Sequence, residues 1–462
     1  MSVSPARECA YRVLRRVEAG RGFAVDLLQA RAVSELREVD RRLATELVMG
    51  VLRWRGELDF QIERLSGRSI DRLDAEVATI LRLGIYQIRF LERVPKAAAV
   101  NEAVELAKAA HKRSAAGLVN AVLRKCAPPA QRLTGRRFEE LNSESLDSVR
   151  RAIPDWLFSR WAARFEERNS TTEGSGTEAA LKLAWASLQV PPTTLRVVRG
   201  QPEVTPVQVE LAQQGIQTHP GRFAPSALIV ESGNVQASAA FREERVMIQD
   251  EASQLVAELV APQPGQRVLD LCAAPGIKAA QLASALRRGT LVACDASAAR
   301  LRTLAQLLPP RIPPGVGLAV VQIDATRESP FGACFHRILV DAPCSGTGTL
   351  ARNPEIKARL LPKGLPRLAE MQRKILGNAL PLLAPRGRLV YATCSLEPEE
   401  NEDVVEEVLS STTGFRRLTR EELTREFLGL GPLFDTAGYF RTRPDVHSMD
   451  GFFAAVLVRS ER

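Results

Sequence analysis

From Val246 to the end of the chain, short apolar segments alternate with segments of helical periodicity, and no other feature constrains the fold as much. The apolar segments predict strands at 267–271, 290–294, 318–322, 337–340, 388–392 and 452–458. The intervening segments predict helices at 278–286, 298–308, 365–383 and 398–409. Strands that alternate with helices form parallel sheets covered on both faces. We therefore predict a doubly wound, Rossmann-like α/β domain over residues 245–462, with its ligands at the carboxyl ends of the strands.

The first 127 residues follow a different pattern, in which apolar side chains recur every three or four positions. This period predicts an all-α helical bundle over residues 1–130. The polar stretch 128–144 is typical of a linker. Beyond it, a strand-like segment at 194–198 lies between helical patterns at 178–188 and 207–214. Together these segments predict a small α+β domain over residues 150–240.

Charge and cysteine usage narrow the functional classes. The net charge is +9, and residues 1–150 hold 27 basic and 20 acidic side chains, so most of the positive charge lies in the N-terminal region. An excess of positive charge favours binding to a polyanion such as RNA. Seven scattered cysteines and four histidines show no zinc-ligand spacing, so no metal is expected. No apolar stretch is long enough to cross a membrane and the start has no secretory core, so we expect a cytoplasmic protein.

A turn of small residues after the first predicted strand is the candidate cofactor site. Small residues allow a ligand to approach the backbone closely, and Asp295, 19 residues after Gly276, ends the next strand where a carboxylate can bind a ribose. The turn matches neither a dinucleotide nor a phosphate-loop motif, which favours a nucleoside without phosphates, S-adenosyl-L-methionine. Asp324, after the third strand, is a candidate acceptor for an adenine amino group. The turn comprises Cys272, Ala273, Ala274, Pro275, Gly276, Ile277 and Lys278.

Two cysteines follow predicted strands in similar turns. Cys344 stands in Asp341-Ala342-Pro343-Cys344-Ser345, and Cys394 stands in Thr393-Cys394-Ser395. Two thiols at neighbouring strand ends indicate covalent chemistry on an electrophilic carbon. Attack of a thiolate on C6 of cytosine would activate C5 for methylation, and the reaction needs a reactive cysteine, a carboxyl group facing N3 and a group that assists release. Asp341 supplies the carboxyl group in this interpretation.

These segments resemble the signature motifs of RNA cytosine-5 methyltransferases. The resemblance covers about the last 220 residues and is carried by residues 249–253, 270–276, 341–348 and 392–401. The front resembles the RNA-binding fold of the antitermination factor NusB, through residues 40–41, 50–53, 81–86, 94–95 and 117–124. A front of this kind joined to this catalytic domain is similar to the bacterial 16S rRNA (cytosine-5) methyltransferase B family.

The resemblance implies a role for each matching residue. Cys394 would be the nucleophile, Cys344 would help to expel the enzyme from the product, and Asp341 would contact the cytosine and border the cofactor. Residues 272–278, with Asp295 and Asp324, would bind S-adenosyl-L-methionine. Ribosomal RNA would be the partner, and a monomer is expected.

Other interpretations remain open at this point. The same reaction on tRNA would use the same motifs. A DNA target fits less well, because DNA cytosine methyltransferases have a different arrangement, in which a single thiol is essential. An RNA-binding regulator with a non-functional cofactor pocket is a third possibility. It is suggested by the basic front and by Ile277, which stands where the family usually has a second glycine.

Overall fold

A computed structural model describes residues 3–129, 133, 135–168, 175–198 and 204–460 of the chain. The chain forms two compact units. The helical unit comprises Met1–Val190 and Leu350–Pro362, and the sheet unit comprises Pro191–Thr349 and Lys363–Arg462. These boundaries differ from the three predicted domains at 1–130, 150–240 and 245–462. The front half of the predicted α+β domain packs with the helical unit, and its strands belong to the sheet unit.

The helical unit is built around α6, whose residues 77–90 are all buried. Neighbouring helices pack against it from several sides, so the predicted all-α front is confirmed. Its helices are α1 Pro5–Glu18, α2 Ala24–Leu28, α3 Arg31–Ser34, α4 Glu38–Arg53, α5 Arg55–Ser66, α6 Ala75–Phe90, α7 Lys96–Ala109, α8 Ala116–Lys125, α9 Ser143–Arg151, α10 Asp155–Arg168 and α11 Gly176–Leu188.

The helical unit also contains a returning segment, Leu350–Pro362, which follows the Cys344 turn in sequence and includes α17 (Ile356–Arg359). The guanidinium of Arg53 donates to the carbonyl oxygen of Ala351 at 3.1 Å. The ammonium of Lys357 donates to the carbonyl oxygens of Arg53 and, at 3.0 Å, of Ala152. Both carbonyls lie at helix C-termini, where a cation satisfies unpaired acceptors. Hydrogen bonds therefore attach this segment firmly to α4 and to the end of α9.

The sheet unit begins with a small antiparallel sheet of strand order β2-β3-β1-β4. Its apolar face buries Leu195, Val197 and Leu228 in a core of its own. The strands are β1 Thr193–Val197, β2 Gln217–Pro220, β3 Ala227–Ser232 and β4 Val246–Ile248, with helices α12 Val204–Gln213 and α13 Ala239–Arg242.

The second sheet has the order β10-β12-β9-β8-β5-β6-β7, and β11 pairs with β12. Its strands are β5 Arg267–Asp270, β6 Gly289–Asp295, β7 Val316–Gln322, β8 Phe335–Asp341, β9 Leu383–Thr393, β10 Phe415–Arg417, β11 Phe440–Arg441 and β12 Phe453–Arg459. Its helices are α14 Glu251–Val260, α15 Ile277–Leu286, α16 Ala298–Leu307, α18 Gly364–Ala379, α19 Glu402–Ser411, α20 Arg420–Glu426 and α21 Pro444–His447. The Rossmann-like α/β prediction is confirmed.

One feature of the predicted sheet is wrong. Strands β5 to β9 pair in parallel, but β12 is antiparallel to β9, so the sheet is mixed. An apolar run such as 452–458 indicates a buried strand without indicating its direction. The five parallel strands still end at one edge, and this carboxyl edge carries the predicted site residues.

Candidate active site

The two cysteine turns meet at the carboxyl edge. Strands β8 and β9 are neighbours, with Asp341 opposite Ala392, so the turns that follow them lie side by side. The Sγ atoms of Cys344 and Cys394 are 3.3 Å apart. Hydrogen bonding to Cys394, together with burial, raises the pKa of the Cys344 thiol well above its usual value. Cys344 therefore keeps its proton, and the two sulfur atoms share a hydrogen bond.

A partly buried ion pair lies beside these thiols. Lys278, in the first turn of α15, places its Nζ 2.8 Å from Oδ2 of Asp341 and 5.1 Å from the centre of the Phe452 ring. Burial disfavours the charged ammonium, but Asp341 and the sulfur of Cys394 outweigh that effect, and the pKa of Lys278 is raised. The ammonium thus stays charged beside the sulfur of Cys394.

The predicted cofactor turn connects β5 to α15, as expected. Gly276 has a φ of +110°, and a Cβ there would lie 2.8 Å from Leu304, so only glycine suits the position. Ile277 is the first residue of α15 and has ordinary helical backbone geometry. The left-handed geometry therefore falls on Gly276 alone, so the backbone places no demand on Ile277 that a branched residue could not meet.

Asp270, at the end of β5, was not predicted as a site residue. It is 1% exposed, and neither of its carboxylate oxygens has a hydrogen-bond partner among the described residues. Burial and the nearby charge of Asp341 raise its pKa to about 8. A cationic ligand would satisfy this carboxyl group. S-adenosyl-L-methionine carries a sulfonium and an ammonium group, so the residues of the turn fit it.

The other predicted cofactor residues lie at the same edge of the sheet. Asp295, almost fully buried at the end of β6, accepts from the backbone N–H of Ser297 at 2.8 Å, and Arg300 contacts the same oxygen at 3.0 Å. Asp324, just after β7, is half exposed and accepts from the backbone N–H and hydroxyl of Thr326. These hydrogen bonds lower the pKa of Asp324. Cys272 is in the turn, and burial raises its pKa, so this thiol stays protonated.

A buried hydrogen-bond network beneath the cysteine turns was also missed. The carboxylate of Glu400 accepts from the backbone N–H of Ser345 at 2.8 Å and from the hydroxyl of Ser395 at 2.5 Å. The sequence predicts a helix from Pro398, which would place Glu400 on a helix surface. The structure instead has a short 3₁₀ turn at Pro398–Glu400, and α19 begins at Glu402. No periodic signal distinguishes these alternatives.

The segment 450–453, which leads into β12, also contacts the site. The backbone N–H of Gly451 donates to the carbonyl oxygen of Gly348 at 2.8 Å, and Phe452 lies beside Lys278.

Within the described ranges, no cluster of His, Cys, Asp or Glu side chains could hold a metal ion. None of the helices formed by that part of the chain combines the length and apolar character needed to cross a bilayer.

Two family models match the chain, each mainly within one of the two units. The model of 16S rRNA methyltransferase RsmB/F matches residues 257–458, and the model of the NusB family matches residues 4–128. The crystal structure of PH0851 has the same fold, with a TM-score of 0.76 and 22% identity over 99% of this chain and 100% of that one. The predicted combination of a NusB-like front and a methyltransferase domain is therefore confirmed.

Two bacterial relatives are similar over nearly their whole length. Probable ribosomal RNA small subunit methyltransferase B of Bacillus subtilis is 32% identical over 472 residues, and its counterpart in Pseudomonas putida, ribosomal RNA small subunit methyltransferase B, is 33% identical over 457 residues. Each alignment covers 98% of this chain and 98% of the relative. The chain belongs to the ribosomal RNA small subunit methyltransferase B family and is an rRNA methyltransferase that uses S-adenosyl-L-methionine.

Proposed function

We propose that this enzyme methylates C5 of a cytosine in small-subunit ribosomal RNA through a covalent bond between Cys394 and C6 of the base. The two thiols 3.3 Å apart beside the ion pair of Lys278 and Asp341 carry this proposal. A single methyl transfer to an exposed nitrogen would need no second thiol at the site. The bacterial relatives, named as small-subunit enzymes, support the choice of RNA.

The first part of the reaction uses Cys394. C5 of cytosine is a weak nucleophile, and attack of the Cys394 thiolate on C6 moves electron density onto C5 while N3 takes up a proton from water. Lys278 stabilises the thiolate before attack, because its ammonium lies close enough for the sulfur to raise the pKa of the lysine. Bound S-adenosyl-L-methionine supplies the methyl group that C5 accepts. Asp341 faces the base and accepts a hydrogen bond from the protonated N3.

The second part of the reaction is release, which we assign to Cys344. The proton on C5 must leave, the C5–C6 double bond must form again, and the bond between C6 and the sulfur of Cys394 must break. Cys344 is the nearest thiol to that sulfur. Its raised pKa means that it must first give its proton to water, after which its thiolate is a strong base. That thiolate takes the proton from C5, the electron pair of the C5–H bond forms the C5–C6 double bond again, Cys394 departs as a thiolate, and N3 returns its proton to water.

The helical unit provides the RNA-binding surface in this proposal, since residues 1–150 carry the basic excess and match the NusB family. One chain contains both cysteines, the cofactor turn and the ion pair of Lys278 and Asp341. No residue from a second copy is needed, so we propose that the enzyme acts as a monomer.

Mapping of 5-methylcytosine in total RNA from a strain lacking this gene tests the proposal. Bisulfite sequencing should show one or more small-subunit cytosines that are protected in the parent strain and converted in the mutant. A plasmid copy should restore protection, and a Cys394→Ser copy should not. Loss of tRNA sites with unchanged ribosomal RNA would contradict the choice of RNA, and unchanged cytosines throughout would contradict the reaction.

A further inference from the structure

We propose that Glu400 is a positioning residue for the release step, because its buried carboxylate holds the turn of Cys344 against the turn of Cys394. This inference rests on the proposed function, since it assigns different steps to the two thiols. Glu400 is completely buried, and no cation contacts its carboxylate among the described residues. A charge in such a place must be stabilised by hydrogen bonds or it is very unfavourable.

Four donors satisfy that carboxylate. Oε1 accepts from the backbone N–H of Ser345 at 2.8 Å and from the side-chain amide of Gln372 at 3.0 Å. Oε2 accepts from the hydroxyls of Ser345 and Ser395. Ser345 follows Cys344 directly and Ser395 follows Cys394 directly, so a single group links the residue after each thiol. The two serine oxygens lie 3.0 Å apart because both hydroxyls point to the same carboxylate oxygen.

The two turns depend on Glu400 to different degrees. The turn of Cys394 has other supports within its own loop, since Asn401 donates to the carbonyl oxygen of Ser395 at 2.9 Å and the hydroxyl of Thr393 accepts from Ser395 N–H at 3.3 Å. The turn of Cys344 is held to Glu400 through both the backbone and the hydroxyl of Ser345. Loss of the carboxylate should therefore displace Cys344 more than Cys394.

This asymmetry gives a specific signature. If Cys344 moves while Cys394 stays in place, attack on C6 continues but release slows, and enzyme accumulates on RNA. A shift of about 1 Å in a catalytic group can slow a step by about 100-fold. A merely structural role would lower both steps together and would not produce a covalent complex.

The experiment compares four purified full-length variants with substrate RNA and S-adenosyl-L-methionine, using denaturing gels for the covalent complex and methyl transfer for turnover. Glu400→Ala should lower turnover by about 100-fold and accumulate the complex, as Cys344→Ser does. Glu400→Gln should recover most of the turnover, because its amide can donate to the two serine hydroxyls while its oxygen still accepts from Ser345 N–H. Glu407→Ala, on the exposed face of α19, is the matched control and should behave as the wild type.

Each outcome has a defined meaning. If Cys344→Ser forms the complex and Glu400→Ala loses turnover without forming it, or keeps full turnover, the positioning role is wrong. If Cys344→Ser itself forms no complex, the proposed covalent function fails and this inference fails with it. If Glu400→Ala does not fold, Ser345→Ala takes its place. This variant removes one of the two hydrogen bonds between Ser345 and Glu400, and it should accumulate less covalent complex than Cys344→Ser in the same assay. If it accumulates no complex, the positioning role of Glu400 is wrong.

Discussion

The turns of Cys344 and Cys394 look alike in sequence, and their surroundings make them chemically different. Each is a Cys-Ser pair after a buried parallel strand, and the strands are neighbours. The Cys394 sulfur lies close enough to the Lys278 ammonium to contribute to the raised pKa of the lysine. Cys344 has a raised pKa, because it hydrogen-bonds to Cys394 and is buried. Side-chain identity alone could not assign the nucleophile, whereas the neighbouring charge of Lys278 and the raised pKa of Cys344 favour Cys394.

The two turns also differ in how they are supported. The Cys344 turn is held through Pro343 and Ser345 by Gln372 and Glu400. The Cys394 turn receives additional bonds from its own strand and loop through Thr393 and Asn401. One turn thus has a fixed sulfur beside a cation, and the other has a sulfur whose position depends on a buried carboxylate. Substitutions at the two sulfurs should separate these properties.

The largest effect is expected for Cys394→Ser. A serine hydroxyl is a far weaker nucleophile than a thiolate, so methyl transfer should fall by about three orders of magnitude or more. Transfer of labelled methyl groups to RNA measures this loss, and calorimetry with S-adenosyl-L-methionine should show unchanged binding. Turnover close to that of the wild type would show that Cys394 forms no bond with the base.

Cys344→Ser should stop turnover in a different way. The variant should still attack and methylate one base per enzyme, because Cys394 and Lys278 are untouched, but it should release the product slowly. A covalent complex resistant to denaturant should therefore form on mixing with RNA and cofactor, in a yield approaching one RNA per active enzyme. The double variant with Cys394→Ser is the control, and a complex in that variant would break the comparison.

Much of this site could be predicted from the sequence, because each motif ends a strand whose apolar run is legible. Cys344, Cys394, Asp341 and the cofactor turn all lie at the carboxyl edge as expected. Glu400 could not be predicted, because its partner Ser345 is 55 residues away in the chain. A helix starting at Pro398 satisfies periodicity equally well, and only tertiary hydrogen bonds select the 3₁₀ turn.

The fold shows the same limit. The alternation of strands and helices predicted the Rossmann-like unit, and the 3.6-residue period predicted the helical front. The returning segment was not predicted, because its attachment depends on a few long-range contacts such as that of Lys357 with the ends of α4 and α9. Burial lowers the pKa of Lys357 to about 7, a cost that no local pattern reveals.

The role of the cation beside Cys394 can be tested through pH dependence. Lys278→Met removes the charge that favours the thiolate, so activity at neutral pH should fall by about 100-fold and the acidic limb of the pH–rate profile should move to higher pH. Lys278→Arg keeps the charge and should restore the position of that limb, even if the rate stays low. If the acidic limb of the pH–rate profile is unchanged in Lys278→Met, the ammonium does not stabilise the Cys394 thiolate. The proposed electrostatic difference between the two cysteine turns would then be wrong.

The smallest effect is expected for Asp270, whose pKa is influenced by Asp341 and Lys278 but which takes no part in the reactions of the two cysteines. With a pKa of about 8, its carboxyl group is mostly protonated at pH 7 in the free enzyme. A cationic cofactor favours the ionised form, so binding at pH 7 should release close to one proton.

Calorimetry of S-adenosyl-L-methionine binding in buffers of different ionisation enthalpy measures that number directly. Asp270→Asn should reduce the proton release to near zero and weaken binding by about tenfold, because one charge-assisted contact is lost. It should leave the covalent complex of the Cys344→Ser background intact at saturating cofactor, since neither turn contains Asp270. Proton release that is equal in Asp270→Asn and the wild type would show that the cofactor's positive charge does not act on this carboxyl group, and the unpaired buried acid would then belong to the folding of β5 rather than to cofactor binding.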